Sequence, residues 1–141
     1  MGILMVLGVV NLRSTQINGR DDERKADIAT IGLNLEAYYK LNSGRYPSQA
    51  LIGQEQTMLP DIDPKSLSAP GSTSSSLLAG GGGGGNTATI LPSPLISTYV
   101  YEPIQADGTV CANETQECRK FYLYYQLEGD NTIYVATSKN Q

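Results

Sequence analysis

The chain has 141 residues, of which 40% are hydrophobic and 17% charged, with a net charge of −4 and a pI near 4.7. This length and composition are typical of one globular domain. The ten lysines and arginines are scattered, which argues against nucleic acid as a direct partner because phosphate binding needs clustered basic residues. Histidine is absent, which removes the commonest general base and zinc ligand, and no catalytic motif stands out, so we expect a non-enzymatic protein.

The segment from Met1 to Val10 is an uncharged apolar run. As a helix it would rise about 15 Å, roughly half of a bilayer core. It lacks the basic flank and small-residue cleavage site of a signal peptide. We interpret residues 1–19 as the remnant of a longer apolar helix that belongs in a membrane or a filament core. An ordinary core helix is the alternative.

Residues 20–42 are predicted to form an amphipathic helix, with Gly19 as a weak point and the acidic run Asp21–Glu23 suited to a helix amino terminus. Its apolar residues fall on two opposite sides. One side is predicted to pack on the domain's own sheet and comprises Ile28, Ile31, Leu35, Tyr38 and Tyr39. The other side comprises Ala26, Ala29, Leu33 and Ala37.

A surface helix of a monomer needs only one apolar stripe, which faces its own core, so the second stripe calls for another explanation. Alanine permits close approach by another helix, including one from another copy of the protein. Alanine is also simply a good helix former, and the residues alone leave both explanations open. The charges that begin the helix mix both signs and are interpreted as a solvated face; they include Arg20, Asp22, Arg24 and Lys25.

The turn at Asn42–Pro47 is predicted to stop the helix and to begin a connecting region, residues 43–96. Within it, residues 66–89 are low in complexity and contain the glycine run Gly80–Gly85. The run fits the nucleotide-binding pattern GxGxxG trivially, but no strand leads into it and no amphipathic helix follows. We therefore predict a flexible, solvent-exposed Ser/Gly-rich loop.

Residues 97–141 are predicted to form an antiparallel sheet. A β-rich run at residues 97–101 ends at Glu102-Pro103, and residues 121–127 and 132–137 flank a Gly/Asp/Asn turn as in a hairpin. The predicted fold class is α+β, a long amino-terminal α-helix packed on a small antiparallel β-sheet.

The two faces of the predicted hairpin differ. Phe121, Leu123 and Tyr125 alternate with Tyr122 and Tyr124 along one strand. The first set can pack on the helix, and the tyrosines of the second set would then point toward solvent or a neighbour.

Cys111 and Cys118 enclose a short loop. Two thiols alone make a poor zinc site, and this spacing is wider than that of a catalytic CxxC. We predict a disulfide, which would place the protein in an oxidising, extracytoplasmic compartment. Two unpaired thiols in a cytoplasmic protein are the alternative.

Two segments resemble the type IV pilin and pseudopilin family. LNLEAYYKLNSGRYPS, from Leu33 to Ser48, is similar to the helix end and NGxYP turn of many such subunits, and FYLYYQLEGDNTIYVAT resembles their final strands. The resemblance covers both ends of the chain but not residues 66–90. Gly2-Ile3-Leu4 resembles the middle of the family's apolar helix, so a truncated helix is expected, without the prepilin cleavage site and the glutamate of subunit registration.

The resemblance implies the pilin fold and a structural subunit of an extracellular filament for adhesion, motility or DNA uptake. The partners would be identical or related subunits, after an earlier stage in which assembly machinery extracts the subunit from the inner membrane. The Ala26 side of the helix would meet neighbouring helices. The charges would lie where subunits cross and could set their register through ion pairs: Arg20, Asp22, Arg24 and Lys25.

Two other functions compete with the pilus subunit. One is a pseudopilin of a type II-like secretion or competence apparatus, and the other a free-standing secreted binding domain with a tyrosine-rich sheet. We predict no cofactor, with calcium as the alternative. Some secretion pseudopilins bind calcium near the carboxy-terminal loops, but the acidic residues of that region match no calcium loop: Asp107, Glu114, Glu117 and Asp130.

Overall fold

The computed structural model describes the backbone of residues 2–139 and the side chains of residues 13–139. The side chains of the apolar run Met1–Val10, predicted to serve a membrane or filament core, lie outside this described part. Helix α1 spans Gly2–Leu41 as one α-helix of 40 residues. It runs through the predicted weak point at Gly19, and the acidic run Asp21–Glu23 therefore lies inside the helix rather than at its start.

Helix α1 ends where the sequence contains its stop signal. The N–H of Gly44 donates to the carbonyl of Tyr39 at 3.0 Å, and Ser43 and Gly44 have positive φ angles of 59° and 78°. Such left-handed residues satisfy the last carbonyls of a helix and turn the chain away from its axis. The connecting region that follows contains 3₁₀ helices at Gln49–Leu51 and Pro64–Leu67 and the short helix α2 at Glu55–Met58.

The sheet has four strands in the order β1-β2-β3-β4. They are β1 (Leu77–Ala79), β2 (Tyr99–Gln105), β3 (Cys118–Gln126) and β4 (Ile133–Thr137). The pairs β2–β3 and β3–β4 are antiparallel, whereas β1 pairs with β2 in parallel. The α+β class is confirmed, but the prediction of a purely antiparallel sheet is wrong. The low-complexity region contributes the parallel edge strand β1.

Strand β2 continues beyond its predicted end at Glu102-Pro103. The carbonyl of Pro103 accepts the N–H of Cys111 at 2.9 Å, so this residue's backbone groups point away from β3. On that side of β2, strand β1 has already ended at Ala79. Because no neighbouring strand needs an N–H at Pro103, proline is tolerated inside the strand.

The main core lies between α1 and one face of the sheet. Helix residues Ile28, Ile31 and Leu35 are 5%, 0% and 1% exposed. They belong to the same buried cluster as residues of the sheet and connecting region, including Tyr46, Leu59, Leu67, Tyr99, Tyr101, Phe121 and Leu123. Tyr38 and Tyr39 are half-buried and pack against this cluster. Each fully buried aliphatic side chain contributes about 1.5–3 kcal/mol.

The other face of the sheet carries a second, smaller core. It contains Ile90, Val100 and Tyr124, with Tyr122 and Val135 packed against it. Tyr124 is 0% exposed, so the prediction that this face points toward solvent or a neighbour is wrong for Tyr124. The glycine run approaches this face, and the prediction of a wholly solvent-exposed loop at 66–89 is wrong for its buried residues: Ser66, Leu67, Ala69, Ser76, Leu77 and Gly80.

Cys111 and Cys118 form a disulfide. Their carbonyls accept the N–H groups of Gln49 and Tyr46 at 3.0 and 2.8 Å. The disulfide loop therefore holds the start of the connecting region against the end of the sheet.

Candidate functional site

The stripe formed by Ala26, Ala29, Leu33 and Ala37, called here the alanine stripe, is exposed along its whole length. Leu33 is 62% exposed, and Leu41, one turn beyond Ala37, is 84% exposed. The domain's own core uses the opposite side of α1. The stripe is thus an apolar surface that the folded subunit leaves uncovered.

An apolar groove runs along one side of the stripe, between α1 and the edge strand β4. This β4 groove has a volume of about 420 Å³. A Cβ atom added at Gly32 would meet nothing within 4 Å, so the small residues of α1 keep the groove open. Its apolar lining comes from both elements: Ile28, Ala29, Leu33, Phe121, Leu123 and Ala136.

A second groove lies at the carboxy-terminal end of α1, between the helix and the connecting region. It has a volume of about 390 Å³ and is lined in part by Ala37, Leu41, Leu51 and Met58. The stripe therefore has the β4 groove along one side and the second groove at its carboxy-terminal end.

Helix α1 continues beyond this surface toward the amino terminus. From Arg13 to Asn18, every side chain except that of Ile17 is exposed. At 1.5 Å per residue, the backbone from Gly2 to Leu12 extends the helix by about 15 Å more. Within the described part of the chain, no helix meets the length and apolar character needed to cross a membrane.

A cluster of charged residues joins α1 to the β3–β4 turn. Arg24 is 2% exposed; it donates to the Asp21 carboxylate at 2.7 Å and to the Ile96 carbonyl at 2.9 Å. Its guanidinium also lies 3.4 Å from the Glu128 carboxylate. Arg20 donates two hydrogen bonds to Glu128, at 2.9 and 2.6 Å. We call Arg20, Asp21, Arg24 and Glu128 the arginine cluster.

The Asp21 carboxylate also accepts the N–H groups of Glu128 and Gly129 at 2.8 and 2.9 Å. Burial alone would raise the pKa of Asp21, but these two N–H groups and Arg24 lower it below the ordinary value. The pKa of Glu128 is lowered chiefly by its hydrogen bond from Arg20. Both carboxylates are therefore held in their charged forms.

The arginine cluster corrects the interpretation of the charges at the start of the helix. The prediction that Arg24 is an intersubunit charge on a solvated face is wrong, because Arg24 is buried and bonded within its own subunit. Arg20 is also paired internally. Asp22 and Lys25 are exposed, and their predicted role between subunits stays a prediction. No local pattern indicates Glu128 as a partner, since it lies in a turn 104 residues from Arg24.

One more helix carboxylate is buried against the sheet. Asp27 is 7% exposed, and its carboxylate accepts the hydroxyl hydrogen of Tyr99 at 2.7 Å. The pKa of Asp27 is raised to about 6, chiefly by burial and to a smaller extent by the nearby Glu23 and Asp63, against the opposing effects of Tyr99 and Arg24.

We expect Asp27→Asn to stabilise the protein at pH 7 by about 1–2 kcal/mol. A raised pKa in the folded state means that protonation favours folding: this contribution is complete below about pH 4 and lost as the pH rises through about 6. Asparagine keeps an acceptor for Tyr99 without the buried charge. Urea unfolding between pH 4 and 7.5 measures the effect, and Asp22→Asn, at an exposed position of the same helix, is the control. An unchanged pH profile in Asp27→Asn would contradict the expectation.

The four acidic residues considered for calcium do not form one cluster, although Asp107 and Glu117 line the same surface depression. Glu117 pairs with Arg45 and Arg119, and Glu114 accepts the N–H of Ser48 at 3.2 Å. Asp107 and Asp130 each bond within their own turns. Among residues 2–139, no group of three or more His, Cys, Asp or Glu side chains could hold a metal ion.

The surface that stands out is therefore the alanine stripe with its two grooves, on a helix that extends beyond them. Comparisons of this chain with protein families, with curated proteins and with solved structures found no match.

Proposed function

We propose that this protein is a structural subunit of a type IV pilus-like extracellular filament that assembles by helix–helix packing. The observation that carries the proposal is the exposed alanine stripe, flanked by the β4 groove and the connecting-region groove. The subunit would be held in the inner membrane before assembly machinery moves it into the filament. Its partners would be identical or related subunits.

The physical support comes from what each side of α1 does. One side of α1 packs in the subunit's own core. The alanine stripe on the other side is exposed and can pack against other helices. Small side chains let two helix axes approach to about 8–10 Å. Covering an exposed leucine such as Leu33 would contribute roughly 1.5–3 kcal/mol per subunit.

The remaining surface is consistent with the same arrangement. The face of the sheet opposite α1 is closed by the chain itself, through Ile90 and the glycine run, so this face can lie outward while α1 lies inward. Exposed Asp22 and Lys25 lie near the stripe, and each ion pair they made with a neighbour would contribute about 0–1 kcal/mol. The disulfide fits an oxidising compartment outside the cytoplasm.

The test places a charge on the stripe. Leu33→Glu, in the full-length protein expressed in cells that assemble it, should abolish filaments in electron micrographs of sheared surface material. The reason is that a carboxylate buried between helices without a partner costs several kcal/mol per subunit. The fold should survive because Leu33 is 62% exposed.

Leu91→Glu is the matched control, since Leu91 is 72% exposed and lies beside Ile90, on the other side of the sheet from α1. It should leave filaments unchanged. Normal filaments in Leu33→Glu would reject helix packing through the stripe. Short envelope-bound assemblies in place of long surface fibres in the unmodified protein would assign it to the pseudopilins.

A further inference from the structure

The glycine run Gly80–Gly85, called here the glycine strap, surrounds a buried carboxylate. The N–H groups of Gly83 and Gly84 each donate to Glu102 at 2.9 Å, one to each carboxylate oxygen. The hydroxyl of Tyr124 donates to the same carboxylate at 2.8 Å and accepts the N–H of Gly85 at 2.8 Å. Glu102 and Tyr124 are both 0% exposed.

Glycine is required for this approach. A Cβ atom at Gly83 would collide with the Tyr124 ring and hydroxyl and crowd Ile90, and Gly85 has a positive φ of 94°. Any other residue would lift the strap away from the sheet or strain it. The run is therefore a fitted backbone surface rather than a spacer.

The glycine strap has no side chains, so only its backbone groups can bond it to the sheet. Its first residue, Gly80, donates its N–H to the carbonyl of Tyr101 at 2.9 Å. Beyond it, the N–H groups of Gly83 to Gly85 point to Glu102 and Tyr124. The ion pairs of the described residues do not include Glu102. Because a buried carboxylate needs compensation, the two N–H groups and the tyrosine hydroxyl supply it.

We propose that Glu102 is the internal anion around which the glycine strap folds, and that the strap opens as a local unit when this carboxylate no longer holds it. Consecutive backbone N–H groups turned toward one point form an anion-binding concavity, and here the chain fills that concavity with its own side chain. Val100 and Tyr124 are both 0% exposed, with Gly80 against Val100 and Gly83 against Tyr124, so opening of the strap would increase their exposure. This proposal does not depend on filament assembly.

The test replaces Glu102 with its neutral isostere. In Glu102→Gln, the amide nitrogen cannot accept, so at least one strap N–H loses its acceptor. Hydrogen exchange at the amides of Gly83 and Gly84, followed by NMR, should become about tenfold faster or more. Exchange at Leu123, in the middle of the sheet, should be unchanged.

A thiol at Val100 gives a second readout of the same opening. Val100→Cys should react slowly with a thiol reagent in the parent protein and about tenfold faster or more when combined with Glu102→Gln. The matched control is Glu55→Gln, because Glu55 is another buried glutamate, 5% exposed, that accepts a backbone N–H, from Gly53 at 3.0 Å. It should leave both strap readouts unchanged.

Two results would overturn the proposal. One is unchanged exchange at Gly83 and Gly84 in Glu102→Gln. The other is an equal acceleration at Leu123, which would make Glu102 a contributor to global stability alone. If Glu102→Gln does not fold, Tyr124→Phe removes one donor to Glu102 and the acceptor of Gly85. The hydrogen-exchange rate of the Gly85 amide must then rise while that of Leu123 does not. If it does not rise, local opening of the glycine strap is rejected.

Discussion

Replacing Arg24 with leucine is expected to destabilise the protein by about 3–5 kcal/mol. The guanidinium is 2% exposed and bonds Asp21, Glu128 and the carbonyl of Ile96. Leucine fills part of the space but leaves the Ile96 carbonyl without the Arg24 donor, and it leaves the Asp21 carboxylate with the N–H groups of Glu128 and Gly129 but without its charged partner. Removing one member of a buried ion pair costs more than the pair contributes, because the remaining charge stays desolvated.

Urea unfolding monitored by circular dichroism measures this loss, with Lys25→Gln as the control. Lys25 is one residue further along the same helix and exposed, so its replacement should change stability by less than about 0.5 kcal/mol. An Arg24→Leu protein within about 1 kcal/mol of the parent would show that the arginine cluster is not a structural centre.

Removing the disulfide is expected to cost about 2–3 kcal/mol. The double variant Cys111→Ala/Cys118→Ala releases a loop closed at a sequence separation of 7, and the entropy regained by the unfolded chain accounts for this range. The release should also loosen the connecting region, because the carbonyls of both cysteines accept N–H groups from Tyr46 and Gln49.

The measurement compares unfolding of the parent protein with and without a reductant. Reduction should lower the parent to the stability of the double variant and should leave the double variant itself unchanged. If the oxidised parent and the double variant unfold at the same urea concentration, the disulfide does not stabilise the fold.

Local patterns in the sequence predicted the elements whose signals are local. The helical period places Ile28, Ile31 and Leu35 on one side of α1, and the structure buries all three. The hairpin of β3 and β4 follows from two β-rich runs and the turn between them. In these elements, propensity and packing favour the same conformation.

The features that sequence reasoning missed depend on distant partners. Arg24 is buried against partners that lie far away in the sequence, the Ile96 carbonyl 72 residues away and Glu128 104 residues away. The strap is ordered by Glu102, and the parallel strand β1 exists because β2 offers it an edge. A glycine run has no side-chain pattern, so its composition alone indicates a flexible linker. Composition does not show whether a buried carboxylate elsewhere in the chain accepts the N–H groups of the run.

The attachment of α1 to the β3–β4 turn also determines how tension would travel through the subunit. Pulling on the amino-terminal end of α1 would transfer the load at Arg20 and Arg24 directly into Glu128, near the opposite end of the chain. The same load would reach the end of the connecting region at the carbonyl of Ile96, to which Arg24 donates at 2.9 Å. A substitution that weakens these bonds would therefore let a pull on α1 loosen both the β3–β4 turn and the end of the connecting region.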